Sequence, residues 1–287
     1  MATKYGTSLY MAKSLSDATV ALTERGRDGA ALAGATWIMR APLRNERQDL
    51  AYVGISSVGE IRRIDIFERE ICIGACATHE EVATALSNLP ECRVLMQAAG
   101  NSANPAIRRA ATIGGNLCAF AFPASDLVPA LMALDASVEL SAACGSERLT
   151  LQEFLAIRSR LQPGQLVTRL VIQRQHHVRS AHIRLPLRKA GDYPVAIVSM
   201  SVSIDPKGLI IESKVAVGSV ESVPYRWHLL EASIVGRPLD ASLLTGLAER
   251  TVPELKGRDG IEAPGWYRVK VLPSLVRRAV SDLQRQS

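Results

Sequence analysis

The chain of 287 residues is 47% hydrophobic and 22% charged, a composition typical of a soluble globular protein with room for two modest domains. Its 34 basic and 28 acidic residues are well mixed, and the densest basic stretch, residues 173–189, carries no aromatic stacking set, which argues against nucleic-acid binding. We expect a cytoplasmic protein without a membrane span, because no apolar run approaches membrane-spanning length and the N-terminal segment lacks an apolar signal core.

The N-terminal part of the chain is expected to form small α/β units. Ser16 or Asp17 is predicted to cap a short helix that ends near Gly26, because a Ser or Asp side chain can accept a hydrogen bond from an amide in the first helical turn. A buried strand at residues 30–32 then leads into a turn of small residues, and a second α/β unit begins near residue 51. Two further strands are predicted at residues 61–66 and 70–73.

The next region combines helices with one long irregular segment. Thr78 and Glu81 form a capping box, in which each residue bonds the backbone amide of the other. Residues 101–123 contain two glycines and two prolines without periodicity, so a long functional loop is predicted there. Ser125 or Asp126 is expected to cap the apolar helix that follows. The helices predicted in this region cover residues 79–87, 91–99 and 126–134.

The sequence pattern changes after residue 165. Apolar residues alternate with serines over residues 198–204, which predicts a half-buried strand, and an Asp-Pro-Lys-Gly turn returns the chain into a second strand at 209–217. Three helices are predicted beyond it, at residues 226–234, 241–251 and 264–283. We place a domain boundary near residue 173. The expected domains are residues 1–173, with subdomains at about 1–55 and 56–173, and residues 174–287.

Two small-residue turns are candidates for chemistry. The first turn, residues 33–37 with the sequence Ala-Gly-Ala-Thr-Trp, directly follows a strand, and the second turn, residues 112–116, reads Thr-Ile-Gly-Gly-Asn. Small residues let backbone amides approach a pyrophosphate, and consecutive amides form an anion-binding nest to which Thr and Asn add side-chain donors. Either turn alone is weak evidence, because a Gly-Gly pair is more often ordinary turn chemistry.

The order of the two turns and the residues around them resemble the flavoprotein subunits of the xanthine dehydrogenase and carbon monoxide dehydrogenase group. That family has a small-residue turn near the start and, further on, Asn-Pro-x-Ile-Arg-x-x-x-Thr-Ile-Gly-Gly-Asn. This chain has Asn104-Pro105-Ala106-Ile107-Arg108 leading into Thr112, and then Pro123-Ala124-Ser125-Asp126-Leu127. The second half is also similar, with the segment Arg188-Lys189-Ala190-Gly191-Asp192-Tyr193. The resemblance therefore covers nearly the whole chain.

The resemblance implies an α+β fold. Two small α/β subdomains would form an FAD-binding domain of the PCMH-like type, followed by a C-terminal three-stranded antiparallel sheet with a helix bundle. It also implies that both turns hold the pyrophosphate of FAD and that three further residues lie at the flavin. Carried over position by position, the cofactor-binding residues are Ala33, Gly34, Ala35, Thr36, Trp37, Thr112, Ile113, Gly114, Gly115, Asn116, Asp126, Leu166 and Lys189. A helix cap for Asp126 and a solvated surface lysine for Lys189 are the alternative interpretations.

The same resemblance implies a division of labour between chains. This chain would pass electrons through FAD to an external acceptor, while a small subunit carries [2Fe-2S] clusters and a large subunit with molybdopterin oxidises the substrate, as a dimer of heterotrimers. The five cysteines are consistent with this, because their spacing matches neither a zinc site nor a cluster site. We assign no catalytic residue and no metal site. The alternatives are an FAD-free structural or assembly subunit and a stand-alone flavin oxidoreductase.

Three positions depart from the family pattern. Ala35 stands where glycine is usual, and an alanine resists the positive φ that such a turn favours. Trp37 stands where a small or polar residue is common, and Ile183 lies where some relatives carry a tyrosine against the flavin. The first two departures leave open how tightly FAD binds, and the third implies a different approach of the electron acceptor to the flavin. Cys72 and Cys76 are expected to be buried structural thiols.

Overall fold

A computed structural model describes residues 8–47, 50–175, 177–187 and 193–286. The chain divides into two compact units. The first unit lies within Met1–Val82, Pro105–Phe120 and Ala136–Gln173, and the second within Ala83–Asn104, Ala121–Asp135 and Arg174–Ser287. Helices and strands are mixed in both units, which confirms the α+β class.

A three-stranded parallel sheet begins the first unit. Strands β1 (Ser8–Met11), β2 (Gly29–Leu32) and β3 (Ala51–Gly54) pair in the order β1-β3-β2. Helix α1 (Leu15–Arg25) connects β1 to β2, as parallel pairing of neighbouring segments requires a crossover. The buried face of α1 packs with β3 in a small apolar cluster. The strand predicted at residues 30–32 is confirmed as β2.

Helix α1 is capped by Ser14, so the prediction of Ser16 or Asp17 was wrong. The Ser14 hydroxyl accepts a hydrogen bond from the Asp17 amide at 3.1 Å, and the Asp17 carboxylate accepts one from the Lys13 amide at 2.7 Å. Asp17 is thus the third helical residue of a reciprocal cap. The pattern of polar residues alone did not reveal that Ser14 is the one with the extended backbone of an N-cap. The helix ends at Gly26, as predicted, where φ is +57°.

A five-stranded sheet completes the first unit. Its strands are β4 (Ile64–Ile66), β5 (Glu70–Gly74), β6 (Ser137–Ala142), β7 (Gly145–Thr150) and β8 (Leu166–Gln173). They pair antiparallel in the order β4-β5-β8-β6-β7, so β8 lies in the middle of the sheet. The strand predicted at 61–66 starts too early, because Gly59–Ile61 forms a turn of 3₁₀ helix.

Two of the described helices begin with capping boxes. Helix α2 (His79–Ala85) starts after Thr78, whose hydroxyl accepts from the Glu81 amide at 3.2 Å while the Glu81 carboxylate accepts from the Thr78 amide at 2.8 Å. This confirms the capping box predicted from the sequence. Helix α7 (Leu151–Ile157), which the sequence pattern did not predict, has an equivalent box at Thr150.

The segment predicted as a long irregular loop contains two short helices. These are α4 (Pro105–Arg108) and α5 (Ile113–Cys118), which begins at the second turn. The prediction was wrong because glycines disfavour a helix interior by propensity. Here close packing of Gly114 and a cap from Thr112 stabilise the short helix, and the first of these interactions involves residues distant in sequence.

The second unit is built on one antiparallel sheet. Strands β9 (Val178–Pro186), β10 (Pro194–Ile204), β11 (Ile210–Gly218) and the two-residue β12 (Tyr225–Arg226) pair in the order β12-β11-β10-β9. The three long strands confirm the sheet that the family resemblance implied. The helices of this unit are α3 (Arg93–Asn101), α6 (Leu127–Ala133), α8 (His228–Ile234), α9 (Ala241–Thr251), α10 (Gly265–Lys270) and α11 (Leu272–Gln284).

The C-terminal helices surround a large apolar core with the sheet. Helix α9 has its predicted bounds, whereas α8 begins two residues later than predicted, because Arg226 belongs to β12. The single helix predicted at 264–283 is divided at Val271 into α10 and α11. The described helices include none that is long and apolar enough to cross a membrane.

Candidate cofactor site

Gly34 brings the first turn into contact with the segment that leads to the second. A side chain built on Gly34 would place its Cβ 1.7 Å from the carbonyl oxygen of Ala110 and 3.2 Å from Cα of Ala111. Only glycine fits at such a backbone approach. Because Ala111 directly precedes Thr112, the structure places the two predicted turns side by side within the first unit.

The first turn has unused backbone donors. Ala35 adopts the left-handed conformation, with φ of +60°. In the described part of the chain, the amides of Gly34, Ala35 and Thr36 donate to no protein acceptor, although the Ala35 carbonyl accepts from the Met39 amide at 2.9 Å. Consecutive free amides around a left-handed residue are the arrangement of an anion-binding nest. All residues of this turn are partly exposed, so the donors are accessible to a ligand.

The second turn uses its first two amides to dock on the strand end after β5. The Ile113 amide donates to the Ala77 carbonyl at 2.9 Å, and the Gly114 amide donates to the Ala75 carbonyl at 2.8 Å. A Cβ on Gly114 would lie 2.7 Å from both the Cβ and the carbonyl oxygen of Ala75. Ala75 is itself fixed, because its amide donates to the Thr168 carbonyl in β8 at 2.9 Å. The glycine here serves close packing.

The next two amides of the second turn form the start of helix α5. The Gly115 amide donates to the Thr112 hydroxyl at 3.1 Å, and the Asn116 amide donates to the Thr112 carbonyl at 2.9 Å. The backbone nest predicted for this turn is therefore wrong, since its amides are engaged within the protein. What this turn can offer a phosphate is the O–H of Thr112 and the side chain of Asn116.

A cavity of about 510 Å³ lies within the first unit. It is bounded by the end of α1, by β2 up to Ala31, and by the loop at residues 159–165. That loop is drawn against α1 at Gly164, where φ is +87° and a Cβ would lie 2.1 Å from the Thr23 hydroxyl. The volume is within the range of small-molecule and cofactor sites, and Arg27 and Arg160 give it a basic rim.

Leu166 lies in the core of the first unit. It is the first residue of β8, is 6% exposed, and belongs to the apolar cluster that includes Ile55 and Cys76. Its side chain is thus engaged in packing at the end of the loop that bounds the cavity. Lys189 lies outside the described residues. Ile183, in β9, is packed against the core of the second unit.

Asp126 belongs to the second unit and does not cap helix α6. The capping hydroxyl is that of Ser125, which accepts from the Val128 amide at 3.4 Å. The buried Asp126 carboxylate instead accepts a hydrogen bond from Nε of Arg184 at 2.9 Å, and Nε2 of His182 lies 3.7 Å from the same oxygen. Of the two interpretations, the helix cap is excluded, and an oriented carboxylate remains.

Arg44, which the sequence pattern did not single out, and Cys76, which it predicted to be buried, both lie at the two turns. Arg44 places its guanidinium over the ring of Trp37, with Cζ 3.8 Å from the ring centroid. Cys76, between the two residues that accept the second turn's amides, is 3% exposed, and burial raises the pKa of its thiol to about 12. Cys72 is also buried, as expected.

Comparison with known families matches nearly the entire chain. Residues 3–173 match the family described as the FAD binding domain in molybdopterin dehydrogenase. Residues 181–283 match the CO dehydrogenase flavoprotein C-terminal domain. The first match alone covers more than half of the chain and includes both turns.

Individual relatives agree with these matches. The chain is 26% identical over 274 residues to the carbon monoxide dehydrogenase medium chain of Afipia carboxidovorans, with 93% of each protein covered. It is 24% identical over 280 residues to the xanthine dehydrogenase FAD-binding subunit of Escherichia coli O157:H7, covering 96% of this chain and 95% of that one. Its fold matches the solved CO dehydrogenase from Oligotropha carboxidovorans with a TM-score of 0.87, at 23% identity and 98% coverage of both chains.

Proposed function

This chain belongs to the family of FAD-binding subunits of molybdopterin dehydrogenases, and from that premise we propose that it is the electron-transfer subunit of a heterotrimeric molybdenum hydroxylase. FAD on this chain takes electrons from [2Fe-2S] clusters on a small partner subunit and passes them to an external acceptor. A large partner subunit with molybdopterin oxidises the substrate. The assembly we propose is a cytoplasmic dimer of such heterotrimers.

The observation that carries this proposal is the first turn. Its three unengaged amides, at Gly34, Ala35 and Thr36, lie around a left-handed residue. Amide dipoles can meet the negative charge of a pyrophosphate without a lysine. We assign the pyrophosphate of FAD to these amides.

The remaining assigned residues have supporting roles. The Thr112 hydroxyl and the Asn116 side chain extend the phosphate site from the second turn, and Gly114 fixes that turn on the sheet. The Asp126 carboxylate, oriented by Arg184, is the proposed acceptor for a hydrogen bond from the flavin. When bound, FAD supplies the redox chemistry, and the chain supplies its binding and orientation.

The alternative of an FAD-free scaffold is less well supported. It was motivated by Ala35 and Trp37, and Ala35, which was expected to resist the left-handed conformation, adopts it. A turn that keeps three adjacent amides unengaged is also unusual unless a ligand or water satisfies them. The stand-alone flavin enzyme would need an acid or base at the flavin, and the described residues near the two turns provide none that we can assign.

The first experiment is a titration of the purified full chain with FAD. We expect the unaltered protein to bind FAD with the flavin absorption bands of a bound cofactor. Thr36→Asp places a like charge beside the phosphates and should lower FAD affinity at least about tenfold. The control is Thr36→Asn, because asparagine is nearly isosteric with aspartate but uncharged. It should change FAD affinity less than about threefold.

Three outcomes decide the proposal. No flavin binding by the unaltered chain, even when partner subunits are co-expressed, would favour the scaffold alternative. Equal FAD affinities for Thr36→Asp and Thr36→Asn would show that the phosphates of FAD do not bind at the first turn. Substrate-dependent reduction of the bound flavin only in the reconstituted complex would support the electron-transfer role, whereas turnover by the isolated chain would support the stand-alone enzyme.

A further inference from the structure

The first turn ends at an aromatic ring that is covered by a guanidinium. Cζ of Arg44 lies 3.8 Å from the centroid of the Trp37 ring, and Nη1 of Arg44 donates to the Trp37 carbonyl at 3.1 Å. The same side chain therefore contacts both the ring and the backbone of the residue that terminates the turn. Planar stacking of this kind is a property of arginine that lysine does not share.

A short helix with a fixed end brings Arg44 back to Trp37. Residues Ile38–Arg44 form a 3₁₀ helix that contains Pro42 and ends at Asn45, where φ is +55°. The Glu46 amide then donates to the Ala41 carbonyl at 3.1 Å. This path brings Arg44 back over the turn, and proline restricts the alternatives open to the backbone.

Glu46 holds the guanidinium in place. Its carboxylate accepts from Nε of Arg44 at 2.7 Å and also from Nη2, so that the pair is bidentate. The hydrogen bonds from Arg44 lower the pKa of Glu46, which keeps the carboxylate charged at neutral pH. Because this carboxylate compensates the charge of Arg44, the role of the guanidinium toward a phosphate is one of geometry more than of attraction.

Ala35 needs such a support. An alanine in the left-handed conformation is strained, because its Cβ approaches the following carbonyl oxygen. Gly34 fixes the upstream side of Ala35 through its contact with Ala110. On the downstream side, the Met39 amide bonds the Ala35 carbonyl, and Arg44 anchors Trp37. If Trp37 were released, Ala35 could relax to negative φ and turn the free amides away.

We propose that the stack of Arg44 on Trp37 is a clamp that holds Ala35 in its left-handed conformation and thereby sets the affinity of the first turn for the diphosphate of FAD. This inference rests on the proposed function of the turn. Arg44 is a positioning residue in this account, since it acts through Trp37 and Ala35. The clamp explains how an alanine serves at a position that favours glycine.

A double-mutant cycle on FAD affinity tests the clamp. In the full chain, Arg44→Gln removes the stack and the ion pair and should weaken FAD binding about tenfold. Glycine reaches the left-handed conformation without strain, so in the Ala35→Gly background the same change should weaken binding less than about threefold. The measurement is the FAD dissociation constant of each apoprotein, with thermal unfolding to verify that each variant is folded.

Three further variants separate the clamp from simpler roles. Arg44→Lys keeps the charge without the planar stack, and we expect it to behave like Arg44→Gln. Arg148→Gln is the matched control, because Arg148 makes a comparable surface pair with Glu139 at 2.6 Å on the five-stranded sheet. That variant should leave FAD affinity unchanged. Trp37→Phe, which retains a ring, should keep most of the affinity.

The outcomes distinguish this inference from the proposed function. If the unaltered chain binds FAD but Arg44→Gln weakens it equally in both backgrounds, or not at all, the clamp is refuted and the proposed function stands. Full affinity in Arg44→Lys would mean that charge, not stacking, is what matters. If the unaltered chain binds no FAD, both the proposed function and the clamp fail.

Discussion

The two small-residue turns of the first unit have similar sequences but opposite uses of their backbone. In the first turn, the amides of residues 34–36 are unengaged and one residue is left-handed. In the second turn, the amides of residues 113–116 all donate to protein oxygens. One turn therefore leaves its amide donors available, and the other uses them to dock within the protein.

This difference shows that glycine content alone does not identify an anion-binding turn. Gly34 and Gly114 are both required by close backbone contact, Gly34 with Ala110 and Gly114 with Ala75. The residue that carries the binding conformation in the first turn is Ala35. The two turns differ in whether their amides donate to acceptors within the protein, and this depends on contacts between distant segments.

The largest effect that would sharpen the comparison is expected in the thiol reactivity of Cys76, which lies between the two residues that accept hydrogen bonds from the second turn. Burial raises the pKa of its thiol from 9.0 to about 12, so at pH 8 the thiolate should be about a thousandfold rarer than in an unperturbed cysteine. We expect alkylation of the buried Cys76 to be much slower than alkylation of the exposed Cys144, as measured by peptide mass spectrometry.

The raised pKa of Cys76 also gives its contribution to folding stability a defined dependence on pH. A thiol whose pKa is raised by folding favours the protonated state, so its contribution to stability is complete below pH 9 and is lost as the pH rises towards about 12. Rapid labelling of Cys76 at pH 8 would show that the hydrogen bonds of the second turn open readily, and the contrast between a fixed and a receptive turn would then disappear.

The next effect is expected from Gly34→Ala in the first turn. The added Cβ would lie 1.7 Å from a backbone oxygen, which cannot move as a side chain could. We expect FAD affinity to fall about a hundredfold and the free energy of unfolding to fall by about 3 kcal/mol. FAD titration and urea denaturation measure the two quantities.

Gly59→Ala is the matched control for this change. Gly59 is exposed in the same unit, and nothing lies within 4 Å of a Cβ built on it. This variant should bind FAD normally and unfold within about 0.5 kcal/mol of the unaltered protein. Normal FAD binding by the Gly34 variant would mean that the two turns can separate without loss of the site.

The smallest effect is expected from Thr112→Val in the second turn. It removes the hydroxyl that accepts a hydrogen bond from the Gly115 amide, and should destabilise the protein by about 1 kcal/mol. Thr150→Val removes the equivalent cap of α7 and provides the control. If the second turn is mainly support, FAD affinity in the Thr112 variant should fall less than about fivefold. A loss comparable with that of the Gly34 variant would contradict the comparison.

Elements with local determinants could be predicted from the sequence. The capping box of Thr78 and Glu81 is confirmed because its partners lie three residues apart. The alternation of apolar residues with serines located strand β10, but the prediction that it is half-buried was wrong, because Ser199 and Ser201 are buried as well. Helix α9 follows from its start and stop signals. Strand β7 was missed, because it is polar and mostly exposed, so that only its pairing with β6 reveals it.

The candidate site divides in the same way. The positions of both turns could be predicted, because their sequences are characteristic of a known family. The use of their amides could not, since Gly114 docks on Ala75 and Gly34 on Ala110 across long stretches of chain. Arg44 was missed because no short motif relates it to Trp37, and only the 3₁₀ helix between them brings the guanidinium over the ring.

The central position of β8 has a consequence for biosynthesis. Ala75, which receives the second turn, is itself held by Thr168 in β8, so the support for the site includes a strand made long after both turns. A ribosome delivers the N-terminus first, and pairings between distant strands form late. We therefore expect the nascent chain to complete the proposed phosphate site only after residue 173 has emerged, and FAD to enter a domain that is already assembled.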